Sequence, residues 1–434
     1  MLMSIIRKEI LSNLLSYKFS IITILSTILI LVSIFVMYGD YCLALENHDI
    51  LRAESDDNVE IIPPTPLGIF TKGLDENLCR SFEIDRKGIT ISNEKQKSVN
   101  DLFKLFTPPD LLYVIKVILS LCAMLFAFDI ICGEKEKGTL RQTISNRLKR
   151  PTLVIGKWIG GFISFILPFF IAVLLGTTYV TLSPMVDMNT QDCAKLGLFL
   201  LSGVIYLAVF FSLGFLISCL THRSSTSLFV SLFVWAILVF LIPNLGNILA
   251  RQLVEIPTVQ HLELKHRRNW IKGNFELTEL ERRRDRIKGD SELRKVDDYR
   301  RQEIIIIRRM MAEIDNLNED YRNRFNRLVK VSQNITRISP APAFTFLATD
   351  IMGTGMAEER RLKRAVLQQR NILIDWYTNA NRDEKSKQPV FSYRRSSVKE
   401  ILGQGGLSNF LILILFNILF FTGAYVAFLR YDVR

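Results

Sequence analysis

The chain has 434 residues, 49% hydrophobic and 23% charged, with a formal net charge of +12. Mean hydropathy is positive at +0.22. The charged and apolar residues are segregated into long apolar runs and two polar stretches, which excludes an ordinary soluble enzyme and indicates an integral membrane protein.

In chain order, Met1–Lys18 places Ile6, Ile10, Leu14 and Tyr17 on one helical face and Arg7, Lys8 and Glu9 off it, as an interfacial helix requires. A bilayer core about 30 Å thick takes about 20 apolar helical residues. Six stretches are long enough: 19–38, 111–131, 154–182, 196–220, 228–249 and 407–429. Pro168, inside the third, is tolerated as a kink. The first run is too long for a signal-peptide core, and no small-x-small cleavage site follows Tyr38. The fold class expected is therefore an all-α membrane protein with six transmembrane helices and a mainly helical extracytoplasmic domain.

Charges in short loops set the orientation, because long domains cross regardless of charge. Arg7, Lys8 and Lys18 precede the first run, and Lys135, Lys137, Arg141, Arg147, Lys149 and Arg150 follow the second. Arg223 lies between the fourth and fifth, and Arg430 and Arg434 follow the sixth. The connection 183–195, on the opposite side, carries Asp187 and Asp192. Alternating spans put every basic short segment on one side, so both termini are expected in the cytoplasm and the chain in a bacterial cytoplasmic (inner) membrane. Segments 39–110 and 250–406 then lie outside the cytoplasm, leaving 132–153 as a cytoplasmic loop and 430–434 as a cytoplasmic tail.

Within 39–110, Glu60–Pro66 reads as extended backbone and Arg86–Ile91 as a turn with a short strand. The segment is too short for a large core of its own and is expected to pack on the second outside segment. Cys42 and Cys79 would sit on the oxidising side, where a bridge and two free thiols are equally open readings. The second segment carries most of the positive charge: Arg251–Glu400 has about 32 Lys/Arg against 22 Asp/Glu. Its apolar series Ile307, Met311, Ile314, Leu317, Tyr321, Phe325, Leu328, Val331 and Ile335 steps by threes and fours, the seam of a helical hairpin. Gln260–Lys288 is the expected antiparallel partner, with a break near Lys288-Gly289-Asp290. Ser339-Pro340-Ala341-Pro342 stops the long helix, and a further helix is expected over Ala357–Asn379. Partner docking, a cap over a substrate and passive structure are the roles open to this domain. A solvated helical surface explains the charge more simply than nucleic acid, since no aromatic-interleaved basic motif is present.

Catalytic patterns are missing from the sequence. His48, His222, His261 and His266 have no metal-ligand spacing. Gly156-Lys157 lacks the remaining residues of a P-loop, because Pro151 stands at the first glycine position and Trp158 follows the lysine. Lys116 and Asp129 fall near the ends of the second run, where snorkelling anchors are expected. No carboxylates sit near mid-span, and no intramembrane nucleophile–base dyad is visible.

The most informative segment lies just after the second run. It reads Asp129-Ile130-Ile131-Cys132-Gly133-Glu134-Lys135-Glu136-Lys137-Gly138-Thr139-Leu140, then Ser145, Arg150 and Gly156-Lys157-Trp158-Ile159-Gly160. This resembles the signature of ABC-2 type transporter permeases, in the branch with a large extracytoplasmic domain between the last two transmembrane helices. Gly138 is suited to end or bend a helix and Thr139 to cap the next one. Glu134 and Glu136 are expected exposed, fixing register with a basic groove on an ATPase.

The resemblance implies a permease subunit that is not itself an enzyme. Two protomers, as a homodimer or related heterodimer, would bind two cytoplasmic ABC ATPase subunits. ATP and magnesium would be held by those ATPases, and this chain would carry no cofactor and no metal. Glu134, Glu136, Gly138 and Thr139 are the expected ATPase-coupling residues, with Ile6, Arg7, Lys8 and Ile10 in the interfacial, or elbow, helix of 1–18. Coupling would drive either export or motion of the outside domain. The alternative is a membrane-anchored transducer or receptor acting on an extracytoplasmic protein partner without transport.

Overall fold

The computed structural model describes residues 2–54, 59–74, 81–85, 88–91, 109–145, 149–286, 293–379, 389 and 391–431. The chain is an all-α membrane protein with six helices long and apolar enough to cross a bilayer: Tyr17–Ala53, Leu111–Glu136, Arg150–Thr181, Thr190–Leu220, Ser224–Leu253 and Leu407–Leu429. The second, third and fourth bury most of their apolar stretch (67, 56 and 72%) and form the packed centre. The first, fifth and sixth bury little (22, 11 and 11%), leaving apolar faces suited to lipid or another chain.

A short helix α1 (Leu2–Leu14) precedes α2 (Tyr17–Glu54). Tyr17 belongs to α2 and is exposed, so it is not part of the α1 face predicted for it. Helix α2 runs 16 residues beyond the predicted end at Tyr38, about 24 Å more. Hydropathy falls there, but Gly39 is the only weak helix former nearby and one glycine costs only about 1 kcal/mol. Tyr41 is buried beyond that point, so packing carries the helix on.

Helix α3 (111–127) opens with the Asp110 carboxylate accepting from Tyr113 N at 2.7 Å, and contains a π turn over Val114–Leu119. The hydroxyl of Tyr206 donates to the Lys116 carbonyl in that turn at 2.8 Å. Two short helices come next, α4 (Cys132–Glu136) and α5 (Thr139–Ser145), and then α6 (Arg150–Thr181), which continues through Pro168. Helix α7 (Thr190–Leu220) starts on a capping box in which Asn189 and Asp192 exchange hydrogen bonds. A polar thread ties the centre together: Trp158 Nε1 of α6 donates to Ser212 Oγ of α7 at 3.0 Å, and Ser212 donates to Asn417 Oδ1 at 2.9 Å. Helix α8 (Ser224–Ala236) ends in a second π turn, Ile237–Leu241.

The chain divides into two compact units, Met1–Leu241 with Ser339–Arg434, and Ile242–Ile338. The segment expected outside the cytoplasm, 250–406, is shared between the two units, with 339–406 grouped in the first. In the second unit, α9 (Ile242–Leu253), α10 (Val259–Arg286) and α11 (Leu293–Thr336) pack together. Gly273 faces Met310 and Glu276 faces Arg309, so α10 and α11 are antiparallel as the seam predicts. Gly246 lies against Thr336, and Ser332 Oγ donates to Asn247 Oδ1 at 2.5 Å, docking α9 on the end of α11. Of the predicted seam, Phe325 is 43% exposed and stacks on Tyr321. The break predicted at 288–290 lies outside the described residues.

Ser339-Pro340 does end α11, but it also starts a helix that the sequence does not announce. Helix α12 (Pro340–Met352) has Ser339 as N-cap, accepting from Ala341 N, and Pro340 in its first turn, where the missing N–H costs nothing. It is buried along most of its length, with Phe344 stacked on Tyr206 at 4.4 Å between ring centroids. Gly353, at φ +71°, terminates it. Beyond it come helix α13 (Met356–Asn379), α14 (Val398–Ile401), a π turn over Leu402–Gly406, and α15 (Leu407–Leu429).

Within the first unit, the first loop segment packs on the second as expected. A three-stranded antiparallel sheet, β1 (Val59–Ile61), β2 (Ser81–Asp85) and β3 (Gly88–Ile91), is the one β-structure among the described residues. It pairs Val59 with Glu83 and Phe82 with Ile91. Ile62 packs with Leu362 and Val366, Leu74 N donates to Thr354 O at 2.8 Å, and Arg395 Nη2 donates to Pro63 O at 3.0 Å. Buried Glu358 fastens the returning chain, accepting from Tyr393 Oη at 2.7 Å, from Ser396 N at 3.2 Å and from the Ser396 hydroxyl. Cys42 is a free thiol, and Cys79 lies outside the described residues.

Candidate functional site

The starts of α1, α2 and α6 and the ends of α3, α7 and α15 meet at one end of the bundle. Lys18 pairs with Asp129 and lies over the Phe128 ring at 4.7 Å. Arg150 Nη1 donates to the carbonyls of Leu429 at 3.0 Å and Tyr431 at 3.3 Å. Asp129 is therefore an end anchor, as its position in the sequence suggests.

Helix α1 docks on α6 through glycine. A Cβ at Gly156 would lie 2.7 Å from Ile5 Cγ2, and one at Gly160 would lie 2.8 Å from Glu9 Cβ and 3.2 Å from the Ile6 carbonyl. Two helices approach this closely only where side chains are missing. Ile6 and Ile10 are half-buried while Arg7 and Lys8 are exposed, the amphipathic split predicted from sequence. Met3 and Leu11 of α1, and Leu15 just after it, remain exposed.

Beneath this contact is Lys157, 3% exposed, with its ammonium 2.8 Å from Glu9 Oε1 and 2.7 Å from Glu134 Oε1. A buried lysine is costly unless paired, and here two carboxylates from different elements bracket it, leaving the trio with a net charge of about −1. The second oxygen of Glu134, Oε2, is buried and makes no hydrogen bond. The three residues thus join α1, α4 and α6 in one charged node. From sequence, Glu134 is expected exposed and Glu9 off the apolar face; in the structure Glu134 is half-buried against Lys157, and Glu9 faces α6.

The neighbours of Glu134 fasten two more helices. The ammonium of Lys135 donates to the carbonyls of Cys219 and of Thr221, the latter at 3.1 Å, at the C-terminus of α7. Glu136 Oε2 accepts from Ser224 N at 2.9 Å and Ser224 Oγ at 2.7 Å, at the N-terminus of α8. Each charge complements the helix dipole it meets. Ser218 Oγ in turn accepts from the amides of Ile131 and Cys132, both at 3.0 Å, holding the start of α4 against α7. Glu136 is exposed as predicted, but its carboxylate is occupied within the chain.

Gly138 has φ +71° and open space around it, so it closes α4 as a left-handed cap. Thr139 differs from its expected role. It is the first residue of α5, and its hydroxyl donates backward to the Glu134 carbonyl at 3.4 Å. Lys137, Gly138, Thr139, Arg141 and Gln142 are exposed, and Leu140 is buried beneath them. Among the described residues no three His, Cys, Asp or Glu side chains converge as metal ligands. One short helix, through three consecutive charged side chains, thus contacts α6, α7 and α8, and through Lys157 it reaches α1.

Glu9 is a member of the node that the sequence does not single out, and Lys157 is noted there only within the Gly156–Gly160 part of the resemblance, not as a partner of Glu134. Lys157 does carry a signal, being a lone lysine at the start of an apolar run with glycine on either side at positions 156 and 160.

No curated protein matches the chain. A family profile described as ABC-2 family transporter protein matches residues 3–433, nearly the whole length. With its six candidate spans and a match extending from α1 through the last helix, the chain is a multi-pass membrane protein that belongs to the ABC-2 transporter family.

Proposed function

We propose that this chain is a permease subunit whose α4–α5 elbow receives the motion of a cytoplasmic ABC ATPase and passes it to the bundle. The observation that carries this reading is the Glu9–Lys157–Glu134 node together with Lys135 and Glu136. A force on the exposed Lys137–Gln142 surface would move α4, and α4 cannot shift without loading α1, α6, α7 and α8. The site residues then have distinct roles. Gly138 and Thr139 shape the contact surface, Glu134 and Glu136 transmit from it, and the helix bearing Ile6, Arg7, Lys8 and Ile10 moves as the bundle's outer brace.

Two protomers, identical or related, pair and engage two ATPase subunits, which hold the ATP and magnesium. The chain lies in a bacterial cytoplasmic membrane with both termini inside, since the basic short segments gather at the node's end. The output is export, or movement of the 242–338 unit against a partner outside. The latter is favoured by α11, whose 44 residues span about 66 Å, a lever longer than the bilayer is thick. Glu134→Lys sets two ammonium groups face to face. In membranes carrying the ATPase it should abolish stimulation of ATP hydrolysis while insertion stays normal. Unchanged stimulation would remove α4 from the coupling path.

A further inference from the structure

Beside the node, and sharing only Lys135 with it, is a cavity of about 830 Å³ between the ends of α7 and α15. Its walls are apolar, including Leu220, Leu415 and Leu419, and the last two are 63 and 58% exposed, so the cavity opens on an uncovered apolar face of the bundle. Gly423 marks its close approach to α7, where a Cβ would lie 3.4 Å from Leu216 Cδ1. The polar side chains of the lining are Lys135, His222, Thr422, Arg430 and Tyr431, with no carboxylate.

The charge here is unbalanced. Lys135 makes no ion pair among the described residues; its partners are two carbonyls and the Tyr431 ring at 4.6 Å. Arg430 likewise pairs with no carboxylate among them, and Arg150 brings a further cation to the same helix ends. A cavity for a small ion would need polar walls, and one for a neutral lipid would need no cations. Apolar walls with a basic end match a single amphiphile bearing an anionic head, as basic pockets between membrane helices do.

We propose that this cavity holds an anionic phospholipid, its phosphate among Lys135, His222 and Arg430 and its acyl chain along Leu415 and Leu419. With the node on the cytoplasmic side, as the proposed orientation has it, the lipid comes from the cytoplasmic leaflet.

The test is native mass spectrometry of the purified full-length chain after equilibration with phosphatidylglycerol or phosphatidylcholine. The wild type should retain phosphatidylglycerol and release phosphatidylcholine, and excess inorganic phosphate should not displace the bound lipid. Arg430→Gln should lower retention about fivefold, since a cation near an anionic lipid is worth about 1 kcal/mol. Leu419→Trp, which narrows the cavity along the acyl-chain path, should lower it as well. Both positions are exposed, so both variants should fold. Equal retention of the two lipids, displacement by phosphate alone, or full retention by both variants would overturn the assignment. The measurement needs no ATPase and no knowledge of sidedness, so failure of the coupling scheme or of the orientation would be a separate result.

Discussion

At the residue scale, the few buried charged side chains act as internal fasteners. Glu358 is the clearest case away from the node, a buried carboxylate that takes donors from Tyr393 and Ser396. Burial pushes the Tyr393 phenol above its ordinary value, and its hydrogen bond to Glu358 adds to the effect. Glu358→Ala would strand those donors and should destabilise the protein by about 3 kcal/mol, seen as a lower thermal midpoint in detergent; Glu358→Gln should lose less. Asp110 offers a pH test. Burial raises its carboxyl above the usual value, against the pull of the Tyr113 and Lys72 amides. The folded state therefore holds this proton more tightly than the unfolded chain, so ionisation subtracts stability as pH rises from about 4 through the raised value. Asp110→Asn keeps an acceptor for the helix cap without that ionisation. The stability of the wild type relative to this variant should fall as pH is raised from about 4 to 7, and a constant difference would contradict the assignment.

At the scale of elements, close contacts are harder to foresee than the helices themselves. Six spans are legible because about 20 apolar residues in a row admit few other readings. The amphipathic split of α1 and the helices at 259–286 and 356–379 come from periodicity and charge. The node is not legible, since Glu9 and Lys157 are 148 positions apart and Glu134 and Lys157 are 23. Spacing carries no information about pairing across that distance. Helix α12 is hidden for another reason: a proline in the first turn of a helix looks like a proline after the previous one. Two substitutions test these elements. Gly160→Leu should push α1 off α6 and raise protease cleavage within the first 15 residues, because the space is already filled by Glu9 and Ile6. Phe344→Ala should cost about 3 to 5 kcal/mol by emptying the stack on Tyr206.

At the scale of the whole molecule, two units joined within the fifth span separate the tasks of the chain. The first unit carries the node and the buried helices; the second carries the charge-rich hairpin. Periodicity reveals the hairpin and its end near Ser339-Pro340, but not the helix that follows, because 340–352 is apolar yet too short to register as a span. Sidedness can be read with an impermeant thiol reagent on intact cells, using Asp290→Cys in a background where Cys42, Cys79 and Cys193 are serine. Labelling without lysis is expected.

The most direct measurement for the node is a charge exchange. Lys157→Glu alone or Glu134→Lys alone should lose ATPase stimulation, because each leaves like charges face to face at the junction of α4 and α6. In a common Glu9→Gln background, which removes the carboxylate that Lys157→Glu would otherwise face, the double variant, Glu134→Lys with Lys157→Glu, restores the ion pair between α4 and α6 with its polarity reversed. Stimulation of ATP hydrolysis in the assembled complex should return in the double variant. Single variants that stimulate normally, or a double variant no better than either single one, would show that force does not pass through this node.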